Sequence, residues 1–351
     1  MTEKPLIYDL SKNELEQVIQ DWGEPGYRSA QIWTGLYRQL WCNPDDFTTL
    51  SKGLRERLKE NFTYSYLSPG QMLVSKDGWT QKIRLNLHDG HAIETVIMQS
   101  RRRNTICIST QVGCAMGCAF CATGQMGFKR NLTQGEIVEQ VIYCTRELAA
   151  QGRHITNVVV MGMGEPFHNY DATMAAIDCL NHPVGFNLGQ RNFTVSTVGI
   201  IPGIKRFTTE HRQVNLSVSL HAVDDDLRNT LVPVNKKYPI EKLLQECKNY
   251  ISETRRRITF EWALIQDTND TPEQAGLLVR LLHGMLCHVN LILLNPTPSY
   301  AGIASSQQRA EQFRAVLEHH GIPCTLRSRR GIEIQAGCGQ LITCDYPLRQ
   351  V

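Results

Sequence analysis

The chain has 351 residues, of which 42% are hydrophobic and 20% charged, a balance ordinary for a soluble globular enzyme. Its formal charge of +3 is too small to demand a polyanionic partner, so any such contact must come from local clusters. The acid-bearing N-terminus does not read as a signal peptide, and the most apolar run, 286–294, is broken by Cys287, His288 and Asn290 and too short for a bilayer. Twelve scattered cysteines argue for a reducing compartment, which sets the expectation of a cytoplasmic protein with no membrane contact.

Taken in order, residues 1–65 read as three short helices. Ser11 and Glu14 stand in capping-box arrangement before Leu15, Val18, Ile19 and Trp22. Pro25 and Gly26 break that pattern, and Ile32, Trp33, Leu36, Tyr37 and Leu40, then Leu54, Leu58 and Phe62, form two further stripes. Basic residues on the polar faces leave two readings, a solvated helical bundle or a nucleic-acid-binding accessory domain. Residues 66–98 hold a hairpin signal: 82–87 alternates at period two, Asp89-Gly90 supplies the turn, and 92–98 returns. Glu94 sits on the apolar face of that second strand, where a carboxylate needs either a cation or a raised pKa.

From residue 99 to 345 short apolar strands alternate with amphipathic helices. Strands are predicted at 105–109, 157–161, 193–197, 214–220, 258–264 and 289–294, with helices at 133–150, 172–180, 204–210, 240–254, 272–285 and 305–320. Six repeats predict an α/β fold of parallel strands, either doubly wound or an incomplete (β/α)6 barrel. An extended piece at 324–328 leads into a glycine-rich tail.

After the first strand come Cys114, Cys118 and Cys121 at CxxxCxxC spacing. A zinc ribbon brings four ligands, and no fourth cysteine or histidine follows Cys121 within ten residues. Three thiolates suit a 4Fe–4S cluster whose fourth iron is left to a ligand; a zinc site with a distant fourth ligand is the alternative. Functional groups collect at the C-terminal ends of parallel strands, and the later exits carry Gly164-Glu165, Ser196, the run Ser219-Leu220-His221, and Asn295.

The cysteine triad followed by Gly-Glu-Pro resembles the radical S-adenosylmethionine enzymes. Cys107 to Cys114, Phe120 to Gly124, Met161 to Pro166, Ser196 to Pro202, Ser219 to His221, Asn295-Pro296 and Ala336 to Leu341 are similar, in order, to the RlmN/Cfr family of RNA adenine methyltransferases, as are Ser29 to Trp33 and Ile93 to Val96. The resemblance implies an incomplete radical S-adenosylmethionine barrel, with an N-terminal helical accessory domain and a β-hairpin linker. It implies methylation of adenine carbon 2 in 23S rRNA, with tRNA as a second candidate substrate; Pro166 favours that branch over carbon-8 methylation of the Cfr type, which confers antibiotic resistance. Cys114, Cys118 and Cys121 are the implied cluster ligands.

By the same resemblance Cys338 carries the methyl group as S-methylcysteine, Cys107 resolves the protein–RNA crosslink by forming a disulfide, and Glu94 accepts the proton. Gly164, Glu165, Ser196, Ser219, Leu220, His221 and Asn295 match S-adenosylmethionine contacts, with two molecules of that cofactor used per turnover. A monomer served by an electron donor such as flavodoxin or ferredoxin is implied. Cys42, Cys144, Cys179, Cys247, Cys287, Cys324 and Cys344 match no role. Without the resemblance, Cys107 reads as a buried strand residue and Cys338 as a surface thiol. Basic runs at 101–103, at Lys129 and Arg130, and at Arg327, Arg329 and Arg330 flank the cysteine motifs and are candidates for RNA phosphates; the run 255–257 does not flank them. A zinc-stabilised RNA-binding protein without turnover is the remote alternative.

Overall fold

A computed structural model describes residues 4–343. Cys344 and the end of the predicted barrel segment lie outside that range.

Three helices open the chain, α1 (Lys12–Asp21), α2 (Tyr27–Tyr37) and α3 (Lys52–Asn61). Ser11 caps α1 as expected: its hydroxyl accepts from the Glu14 amide, and the Glu14 carboxylate accepts from the Ser11 amide at 2.8 Å. Leu40 falls beyond α2, at φ 61°. The helices share one continuous core with the rest of the molecule.

The segment predicted as a hairpin has three strands, β1 (Leu67–Val74), β2 (Thr80–Leu87) and β3 (Ala92–Gln99), each antiparallel to the next. β3 then pairs antiparallel with β4 (Asn104–Cys107), so this connecting unit extends the main sheet. Pro69 and Gly70 lie in β1, where the pairing register shifts, and six of its eight residues are exposed, which explains why period-two patterning did not reveal it.

Beyond β4 a small antiparallel pair, β5 (Gln111–Gly113) and β6 (Phe128–Asn131), brackets the cysteine loop and α4 (Ala122–Gln125). The chain then alternates: α5 (Gln134–Ala149), β7 (Asn157–Val160), α6 (Tyr170–Asn181), β8 (Phe193–Thr197), α7 (Ile201–Thr209), β9 (Asn215–Ser219), α8 (Asp225–Leu231), α9 (Ile240–Thr254), β10 (Ile258–Leu264), α10 (Pro272–Leu282), β11 (Cys287–Leu293), α11 (Gln307–His319) and β12 (Cys324–Leu326). The sheet runs β1-β2-β3-β4-β7-β8-β9-β10-β11-β12, parallel throughout from β4 to β12. β1 and β12 are its two edges, so the barrel is open, and the tail after β12 crosses the gap. Arg330 donates to the Gln99 carbonyl at 2.8 Å, and the Ile342 amide donates to Glu94 at 2.9 Å. No described helix is long and apolar enough to cross a membrane.

The helical region packs on α5. The Gly135 amide donates to Asp9 Oδ1 at 2.7 Å, and a Cβ at Gly135 would stand 2.6 Å from Leu6 Cδ2. The Arg146 guanidinium donates to the Leu40 carbonyl.

Candidate active site

The cysteine loop is shaped by its brackets. Gly113 takes φ 71°, and a Cβ there would lie 1.8 Å from the Gly127 carbonyl oxygen, so only glycine lets the two ends of the loop approach. The Ala119 amide donates to the Leu231 carbonyl and the Ala122 amide to the Gly339 carbonyl, tying the loop to α8 and to the tail. Cys118 sits in a second apolar cluster with Leu231, Val232, Ile265 and Leu294, against which Phe120 and Cys121 pack.

Burial pushes the Cys114 thiol up to about 12 and raises Cys118 and Cys121 as well, with neighbouring thiols adding to the effect. Such thiols ionise only when a cation takes up their charge. Among the described residues no three His, Cys, Asp or Glu side chains converge as one metal ion requires. Spaced, buried thiols on one loop fit a 4Fe–4S cluster, in which each cysteine holds a different iron, better than they fit a single zinc.

Cys118 and Cys121 open onto a cavity at the C-terminal ends of the strands, which Gly164, Glu165, Ser196, Ser219, His221 and Asn295 also line. Gly164 has φ 105°, and a Cβ on it would meet Gln111 Cβ at 2.6 Å. Each oxygen of the Glu165 carboxylate accepts one backbone amide, Oε1 from Phe167 and Oε2 from Val198, both at 2.9 Å. Burial pushes it up to about 7 despite those two bonds. It thereby joins the exits of β7 and β8.

His221 takes φ 62°, and its Nδ1 accepts from the Ala263 amide at 3.0 Å, which leaves the proton on Nε2. Burial and the nearby Arg228 push it down to about 3, so the ring is neutral, and it meets the Phe120 ring edge to face at 4.9 Å. Asn295 donates to the Cys338 carbonyl at 3.1 Å, while its Oδ1 is buried without a hydrogen-bond partner. A buried acceptor left unpaired at the cavity wall fits a polar ligand carrying N–H or O–H donors, as S-adenosylmethionine does.

Two predicted residues stand elsewhere. The Leu220 side chain is in the core, and only its backbone serves the site, through an amide bond to Glu261 and a carbonyl taken by Arg228. Glu94 does not line the cavity. It is buried, ion-paired to the equally buried Lys82 at 2.9 Å and bonded to the Ile342 amide. Burial raises its pKa and Lys82 opposes the rise.

Cys338 and Cys107 line an adjoining cavity together, and Cys338 belongs to the first cavity as well. Burial and the proximity of Cys338 push the Cys107 thiol up to about 12. The tail is held by Thr123, whose hydroxyl donates to the Leu341 carbonyl at 2.7 Å, and by Gln340, which donates to the Pro296 carbonyl at 3.1 Å.

Sequence reasoning missed three buried polar residues. Arg228 donates to the carbonyls of Val198, Ser219 and Leu220 and to Asn235 Oδ1, binding the exits of β8 and β9. Burial pushes it down to about 10. Asn269 donates to the carbonyls of His221 and Ala263, supporting the strained histidine. Glu261 on β10 accepts from Ser217 and Asn290, with Arg327 at 4.0 Å. The only signal for Glu261 was a carboxylate inside an apolar strand; Arg228 and Asn269 lie outside the predicted elements and gave none.

A family model described as the radical SAM superfamily matches residues 108–275, and one described as the ribosomal RNA large subunit methyltransferase N-terminal domain matches 7–63. A "Probable dual-specificity RNA methyltransferase RlmN" of Chloroflexus aurantiacus is 47% identical over 97% of this chain and 93% of its own. "Dual-specificity RNA methyltransferase RlmN 1" of Myxococcus xanthus is 47% identical over 95% of this chain and 93% of its own. The crystal structure of a radical SAM methyltransferase from Sphaerobacter thermophilus superposes with a TM-score of 0.94 at 48% identity, covering 96% of this chain and 99% of that one.

Proposed function

The chain belongs to the RlmN family of radical S-adenosylmethionine enzymes, and on that premise we propose that it methylates carbon 2 of an adenine in 23S rRNA, with tRNA as a second substrate, in the cytoplasm. The observation that carries this reading is the meeting of two cysteines from opposite ends of the barrel segment, Cys107 and Cys338, in one cavity next to the cysteine loop. A zinc-stabilised binding protein has no use for that meeting.

Cys114, Cys118 and Cys121 hold the cluster. When bound, the cluster supplies the electron that splits S-adenosylmethionine and yields the radical for hydrogen abstraction. The chain's own residues do the rest. Asn295 Oδ1, the Nε2–H of His221, and Ser196 and Ser219 line the cofactor cavity, and Gly164 keeps its wall free of a side chain. Glu165 holds two strand exits together through one backbone amide on each oxygen, and the remaining lone pairs face the same cavity to accept from the methionine amino group of S-adenosylmethionine.

Cys338 accepts a methyl group by displacement on a first S-adenosylmethionine, giving a thioether. After loss of a hydrogen atom, its carbon joins adenine carbon 2. The adduct must also give up one electron, which the bound cluster would accept, as Glu94 takes the proton from carbon 2 and the aromatic ring is restored. The Cys107 thiolate attacks the Cys338 sulfur; as the disulfide forms the sulfur–carbon bond breaks, its electron pair stays on the methylene carbon, and uptake of a proton there leaves a methyl group on the adenine of the released RNA. For Glu94 to reach the base its bond to the Ile342 amide must open, which ties deprotonation to movement of the tail. The chain works as a monomer, with a small one-electron donor such as flavodoxin or ferredoxin.

Mass spectrometry of the anaerobically purified protein should find methylated Cys338, and nuclease digestion of modified RNA should yield 2-methyladenosine. An unmodified Cys338, or 8-methyladenosine as the product, would overturn the assignment.

A further inference from the structure

The reactive groups stand at the C-terminal ends of the parallel strands. At the opposite ends lies a second concavity, walled by the first residues of neighbouring strands, among them Asn157 of β7, Asn215 of β9 and His288 of β11. Six arginines line it, Arg103, Arg191, Arg255, Arg256, Arg257 and Arg327, against a single carboxylate, Glu261; Arg103 and Arg327 reach the cavity of Cys107 and Cys338 as well, so Arg191 and the run 255–257 are the cations that belong to the basin alone. This is where the run 255–257 goes, the basic run with no place at the cysteine motifs.

Arginines elsewhere in the molecule are of two kinds, some ion-paired and some, such as Arg57 and Arg146, donating to a single backbone carbonyl. Arg130, Arg206, Arg212, Arg309 and Arg314 each reach a carboxylate. Among the described residues, none of Arg103, Arg191, Arg255, Arg256 and Arg257 is ion-paired; the one ion pair in the basin joins Arg327 to Glu261. Arg191 and Arg256 instead converge on one neutral oxygen, Gln213 Oε1, at 3.4 and 2.9 Å, and Arg256 also takes Asn215 Oδ1 at 3.0 Å. Two guanidiniums sharing one amide oxygen repel each other, and an anion between them removes that repulsion. Guanidinium forks match phosphate oxygens, and several in one basin suit more than one phosphate group. The wall of strand starts bounds a basin, whereas a nucleic-acid backbone needs a continuous track of cations.

We propose that this basin binds a compact polyphosphate anion, of the kind carried by a nucleoside triphosphate or an inorganic oligophosphate. Binding is read without turnover, so it stands or falls apart from the methyl-transfer reading. The test is calorimetric titration of the anaerobically reconstituted full chain with inorganic triphosphate and, separately, with ATP. One saturable site per chain is expected, weakened about tenfold or more in R255Q/R257Q and in R103Q/R191Q. R314Q, an exposed arginine of α11, should bind as wild type does. Cluster absorbance and melting temperature confirm that each variant is folded. Equal binding of both ligands assigns the site to the phosphates alone, and tighter ATP adds recognition of the nucleoside; either supports the proposal. Absence of saturable binding, or equal weakening in R314Q, overturns it. So does a loss of stem-loop RNA affinity matching the loss for triphosphate, which would give the basin to RNA.

Discussion

Cys107 and Cys338 read as a buried strand residue and a surface thiol until the tail brings them together. Neither had a residue-level signal of reactivity, because the property that matters is their shared cavity, and a cavity belongs to the tertiary fold. Cys107→Ala should leave Cys338 methylated and accumulate a protein–RNA crosslink, seen as a slower band on a denaturing gel after reaction with substrate RNA; rapid release of methylated RNA would contradict the resolving role. Lys82 was passed over as one member of an alternating strand, yet it neutralises a buried carboxylate. Lys82→Met strands Glu94 as an unpaired buried charge and should lower stability by about 3–5 kcal/mol in urea unfolding, whereas Lys82→Met with Glu94→Gln should recover most of the loss. An unchanged single variant would mean that the pair is solvated in solution.

Among the elements, β8 and β10 start and end where apolar patterning puts them: β8 alternates buried and half-buried residues, and β10 is buried at all but one position. Those that escaped notice are short or exposed: the seven-residue α8 completes barely two turns, and β1 shows most of its residues to solvent. Yet α8 carries Arg228, whose bonds hold two strand exits. Arg228→Met removes the guanidinium donor from the carbonyls of Val198, Ser219 and Leu220, of which Leu220 keeps the Ala222 amide, and should cost about 3–5 kcal/mol, with S-adenosylmethionine affinity falling in parallel. Helix α5 carries Glu139, which accepts from the Tyr66 amide at 2.9 Å and is pushed by burial up to about 7. A carboxyl raised in the folded state holds its proton there after the unfolded chain has lost it. Its contribution is therefore greatest below its ordinary pKa and is lost as pH rises through about 7. Glu139→Gln should gain stability relative to wild type between pH 5 and pH 7.5, by roughly 1–3 kcal/mol, followed by melting temperature across that range. A difference that stays constant with pH would rule out titration of Glu139.

At the scale of the whole molecule, three segments that read as separate in sequence share one core. Turn residues and changes of periodicity mark where elements end, but they carry no information about which outer faces will be pressed together. The join depends on details such as the missing side chain of Gly135, against which Leu6 and Asp9 rest. Unfolding should accordingly be a single cooperative transition by fluorescence and circular dichroism. Gly135→Val should loosen the helical region and weaken RNA binding while leaving the visible absorbance of the cluster intact; two resolved transitions in the wild type would show that the helices fold on their own.

The tail that runs from β12 back to β3 is held by single main-chain and side-chain bonds, not by a ladder of strands. The molecule therefore has a seam, and a seam opens at far lower free energy than a sheet. In native-state hydrogen exchange the amides of Ala336 and Ile342 should lose protection orders of magnitude sooner than those of β8, although both lie within a few residues of Cys338. Admission of a base and its release after methylation thus need no breathing of the barrel itself: unpicking and restitching one strip of peptide suffices.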